Sequence, residues 1–152
     1  MMNLVAIVGD TPYRILLLLH ILTAMVAFAP AFVHPILASQ SNALGDDRQP
    51  FLGYMVANGR RIYGPALILT GLFGFGLQGL SDGAWAFGQG WMIGAIVVWI
   101  AMNGLLHAVL IPSEAKVADG DEAAQSNVDK SGALLSILLL VMLYLMIFKP
   151  GI

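Results

Sequence analysis

An all-α, four-helix transmembrane bundle with up-down-up-down topology is the fold class the sequence predicts, and three observations predict it. Four apolar runs, approximately residues 13–38, 62–80, 91–111 and 131–148, approach or exceed the roughly 20 residues that cross a hydrocarbon core about 30 Å thick. The 152 residues are 59% hydrophobic and 11% charged, and a mean hydropathy of +0.83 is far above that of a soluble domain of this size. The charged residues fall almost entirely between the apolar runs. One integral membrane domain, residues 1–152, accounts for the chain.

The same numbers exclude several classes. With 7 basic and 9 acidic residues and a net charge of −2, no basic surface remains to track a nucleic-acid backbone. Without cysteine there are no disulfides, thiolate metal sites, iron–sulfur clusters or c-type haem attachment. A metal or haem would use His, Met, Tyr, carboxylate or carbonyl ligands. Ala27-Phe28-Ala29 has the form of a signal-peptide cleavage site, but Pro30 would follow the cut and the apolar run continues past it. The first helix is therefore expected in the mature protein.

Residues 1 to 9 are apolar but too short to span, so they are expected to lie at the interface or to extend the bundle. Asp10 or Thr11 caps the first helix, and Pro12 suits its first turn, where a missing N–H is harmless. Pro30 and Pro35 lie inside it, crowd the carbonyls of Val26 and Ala31, and predict a kink whose freed carbonyls face protein. A loop over 39–61 follows, with Arg48 and the pair Arg60-Arg61. In the second span Ala66, Thr70, Gly74 and Gln78 form a stripe, mostly of small residues, that suits close helix packing, or docking of a second copy or membrane partner.

Trp85 and Trp91 take positions expected of an interfacial aromatic belt. Trp99, Asn103 and His107, four residues apart along the third span, share a face that looks inward rather than to lipid. Residues 112–130 read as a solvated, mobile connector, and Asp129 or Ser131 caps the fourth span. Arg48, Arg60, Arg61, Lys116 and Lys130 belong to the two long loops, against Arg14 and Lys149 at the termini. The positive-inside rule gives an N-out, C-out protein of a bacterial inner membrane.

Three histidines interrupt the spans. His34 and His107 each lie about 6 Å inside the same membrane face by helical rise, so both can ligate one metal or serve as axial ligands of a b-type haem. Arg60 and Arg61 would then pair with haem propionates. His20 lies near the opposite side, within reach of Gln78 or of Met142 and Met146, and methionine is a possible soft-metal or axial ligand. The plainer reading gives the histidines structural bonds to water or freed carbonyls and leaves the methionines as packing. No Walker loop, G-x-S-x-G or H-E-x-x-H motif is present, and every carboxylate sits in a loop or at a helix end, which argues against a proton-coupled transporter.

The histidine in LLLLHILTAM, the basic pair in NGRRIYGPALILTG and the tryptophan opening GQGWMIGAIVVWIAMN resemble bacterial four-span predicted integral membrane proteins. More distantly they resemble copper-resistance-D-like membrane domains and HemJ-type protoporphyrinogen oxidases. That resemblance implies a helix-1 histidine, here His20, tied to metal or haem, with Pro35 near a proline of the HemJ type. Ala27 to Pro30 stand where those proteins carry a tryptophan and paired glycines.

The functional expectation is a small polytopic membrane protein that binds b-type haem or a transition metal through His20, His34 or His107, with Asn103, in a redox or accessory role. Two alternatives stay open. One is a non-catalytic subunit or scaffold that docks through the helix-2 stripe. The other is a small permease for an uncharged solute, with a polar path along Asn103, His107 and Gln78.

Overall fold

A computed structural model describes residues 10–151. It is all-helical among these residues, with four long helices: α1 (Thr11–Ser41), α2 (Gly45–Gly79), α3 (Gly90–Ala118) and α4 (Glu122–Phe148). All four are long and apolar enough to cross a membrane. The expected position of residues 1 to 9 lies outside the described residues.

The helices exceed the apolar runs at one end of the bundle. Most of the loop expected over 39–61 is the polar start of α2, and the connector expected over 112–130 is the end of α3 and the start of α4. Short turns at 42–44 and 119–121 are all that remain. Polarity marks where a helix leaves hydrocarbon, not where it stops. The start of α4 is accordingly capped by Asp121, whose carboxylate accepts from the Ala123 N–H at 3.1 Å. Asp129 instead accepts from the Gln125 amide at 2.8 Å, and the Ser131 hydroxyl donates to the Asn127 carbonyl. Asp10 occupies the N-cap of α1 without a side-chain capping bond, and α1 runs unbroken through Pro30 and Pro35.

Two single π turns punctuate the bundle, at Gly59–Tyr63 in α2 and Leu106–Leu110 in α3. The Gly64 N–H bonds the Gly59 carbonyl, and the Ile111 N–H bonds that of Leu106, each five residues back. Pro65 and Pro112 each follow two residues after such a turn. A proline ring crowds the carbonyl four residues before it, here that of Arg61 or Ala108, and the wider π turn moves that carbonyl aside. Each turn also inserts one residue. Twelve residues of regular helix would put Leu67 about 120° from Met55, and Glu114 about 120° from Met102; one inserted residue reduces both offsets to about 20°.

α1 packs along α2, and α3 along α4. A small core of Leu67, Met102 and Leu139 joins the pairs at mid-height, flanked by Phe28, Trp99 and Leu135. α2 receives rings from both neighbours. The Trp99 indole lies against Gly71 and donates to the Leu67 carbonyl at 2.8 Å, and His20 lies against Gly74 and donates from Nδ1 to the Thr70 carbonyl at 2.8 Å. In each case the glycine stands four residues after the accepting carbonyl. Without a Cβ there, that oxygen is open to a second donor.

At the end where α1 begins and α4 ends, aromatic residues close the bundle. Trp91 is buried and stacks edge-on with Trp85, whose indole donates to the Tyr13 hydroxyl at 3.2 Å. The Lys149 ammonium lies 3.7 Å from the Trp85 ring centroid. Trp91 is thus packed inside the bundle, with Trp85 half-buried beside it. Large apolar side chains elsewhere point outward, Ile147 and Phe32 among them, as suits a bilayer.

Candidate functional site

Between the four helices, in the half nearest the turns at 42–44 and 119–121, lies a cavity of about 430 Å³. Phe28 and Ala31 of α1, Leu67 of α2, Met102 and Leu106 of α3 and Leu139 of α4 form its apolar part. His34, Tyr63, Glu114, Gln125, Asp129 and Ser136 are its polar lining.

The two π turns build this site. By restoring the phase of Met55 and Leu67, the α2 turn leaves Gly59 and Tyr63 facing the same space. By bringing Glu114 onto the face of Met102, the α3 turn swings a carboxylate inward that a regular helix would carry elsewhere. Gly59 is buried beside it, where a Cβ would make ordinary contacts with Ile111 at 3.4 Å and Glu114 Oε2 at 3.9 Å.

His34 and Glu114 form the centre of the polar lining. The imidazole Nδ1 lies 3.3 Å from Glu114 Oε1, with both side chains largely buried, 16% and 13% exposed. A carboxylate accepts only, so Nδ1 carries the hydrogen. The Tyr63 ring meets that of His34 edge-on at 5.5 Å. Asp129 is exposed at the rim, bonded to Gln125.

The sequence-predicted residues occupy separate places. Only His34 of the three histidines lines the cavity. His107 lies against Gly64 and is exposed on the outside of the bundle, so the inward face expected for it ends at Asn103. The Asn103 amide donates to the Trp99 carbonyl at 2.9 Å, and its oxygen is buried without a partner among the described residues. Gln78 donates to the Trp85 carbonyl, far along α2 from the cavity. Asn103, His107 and Gln78 therefore do not form one polar path.

Arg60 and Arg61 are exposed and outside the cavity. Met142 packs on the core, and Met146 is half-buried. Ala66 and Thr70 are buried within the chain, and Gly74 is covered by His20, so the stripe serves packing between α1 and α2. Among the described residues no three His, Asp or Glu side chains gather as a metal site.

A bis-histidine haem needs a second axial imidazole and cations for its propionates. The cavity brings one imidazole and two carboxylates, with no Lys or Arg among its described lining residues, and does not fit that group. The hydrophobic pattern alone does not mark Tyr63, Glu114 or Asp129 as lining a site. Pro65 and Pro112, prolines within helical sequence, were the signal that could have located the shift in phase. No family model, curated protein or solved structure matches the chain.

Proposed function

We propose that this is a multi-pass protein of a bacterial plasma membrane, with both termini outside, that binds a small amphipathic molecule between its helices in a carrier or accessory role. The cavity carries this reading: apolar walls surround one buried, hydrogen-bonded His34–Glu114 pair. Its volume lies within the range of small-molecule sites. Five of the seven basic residues lie toward the two short turns, which supports placing that end in the cytoplasm. The cavity would then belong to the cytoplasmic half.

Native mass spectrometry of the protein released from lipid nanodiscs tests this reading, with Ala31→Phe to fill the cavity. A bound small molecule retained by the wild type and lost in Ala31→Phe is the expected result. Equal retention, or none in either, would overturn it.

His20 favours a second reading. Its Nδ1–H is spent on the Thr70 carbonyl, as in imidazoles that ligate metal through Nε2. Absorption spectra of oxidised and reduced protein, wild type against His20→Ala, test it: a haem band lost in the variant supports it, and a colourless wild type after haem supplementation opposes a haem.

A further inference from the structure

The proposed binding role leaves open what kind of molecule the cavity prefers, and the chemistry of its polar lining bears on that question. Apolar walls give little preference in a membrane, because lipid chains solvate an apolar ligand nearly as well. Selectivity must come from the head group.

The unspent capacity of the central pair is that of an acceptor. Glu114 uses Oε1 on the His34 Nδ1–H, and among the described residues its Oε2 has no hydrogen-bond donor. Asp129 adds a second carboxylate at the rim. The Tyr63 hydroxyl can donate or accept, the Ser136 hydroxyl spends its hydrogen on the Gly132 carbonyl, and no Lys or Arg is among the described lining residues.

A carboxylate or carbonyl head would bring further acceptors to this lining, and an anionic head would meet two carboxylates. An ammonium brings three donors and the complementary charge. We infer that the cavity selects a lipophilic primary amine in its protonated form, its apolar part between Phe28, Leu67, Met102 and Leu139 and its ammonium on Glu114 Oε2. This rests on the cavity being a binding site at all.

Equilibrium dialysis of decylamine, decanol and decanoate against the protein in phosphatidylcholine nanodiscs, with empty nanodiscs subtracted, tests both statements separately. The three probes share one chain and differ in the head. We expect saturable decylamine binding at neutral pH at least tenfold tighter than that of decanol, no decanoate binding, and loss of the amine preference in Glu114→Gln. All binding should vanish in Ala31→Phe.

Decanol or decanoate binding as tightly as decylamine, with loss in Ala31→Phe, would overturn the amine while leaving the cavity as a site. An amine preference retained in a folded Glu114→Gln would overturn the assignment to Glu114. No saturable binding of any probe to the wild type would overturn both readings. Should Glu114→Gln not fold, the wild-type ranking of amine against alcohol decides.

Discussion

Met102 and Glu114 lie on one face of α3, both lining the central cavity, because the π turn at Leu106–Leu110 separates them. Pro112 sustains that turn by excluding the regular bond and crowding the Ala108 carbonyl. Pro112→Ala should let the segment relax toward a regular helix and rotate Glu114 by about 100°. The check is cysteine cross-linking in this cysteine-free chain, with Cys at 34 and 114 and a short bis-methanethiosulfonate. Efficient bridging in the parent and its loss on adding Pro112→Ala is the expected outcome; equal bridging would show that the proline does not hold the turn.

Gly71 and Gly74 both receive a ring, yet their tolerance differs. A Cβ at Gly71 would overlap the Trp99 indole, which is held by its bond to the Leu67 carbonyl. At Gly74 it would stand 3.3 Å from His20, tight but open to a small adjustment. Gly71→Ala should cost about 2 to 3 kcal/mol, the range for overpacking. Gly74→Ala should fall within about 0.5 kcal/mol of neutral, since alanine also favours the helix. Unfolding in mixed micelles with increasing SDS ranks the two.

Lys149 follows the end of α4, and burial lowers its pKa from the ordinary 10.5. The unfolded chain therefore binds this proton more readily than the fold, and stability rises with pH between the lowered value and 10.5, reaching its full extent above it. The Trp85 ring under the ammonium opposes this by favouring the charged form. Burial should win, with the melting temperature of wild type rising slightly through that window relative to Lys149→Met. A fall instead would show the ring contact to dominate.

How much of this was legible follows from where the hydrophobic pattern is informative. The four spans and the bundle were readable because each apolar run is long. The stretches 39–61 and 112–130 look like loops because helix beyond the hydrocarbon has no need to be apolar, and periodicity there has to be followed through a π turn. The same shift hid Glu114, which looked like a loop carboxylate, and made His107 look inward. His34 was found from its depth alone. Its partner lies 80 positions away, beyond any local pattern.

Asn103 offers the last prediction. Its amide bonds the Trp99 carbonyl one turn back, and its side-chain oxygen is buried with no donor among the described residues. An unsatisfied buried acceptor costs about 1 to 3 kcal/mol, more than one amide bond to an already paired carbonyl returns. Leucine is close in size and removes both groups together. Asn103→Leu should therefore be neutral or stabilise the protein by about 1 kcal/mol in the same SDS titration. Destabilisation beyond about 1 kcal/mol would mean that the oxygen has a donor in the membrane, such as a bound water or a neighbouring chain.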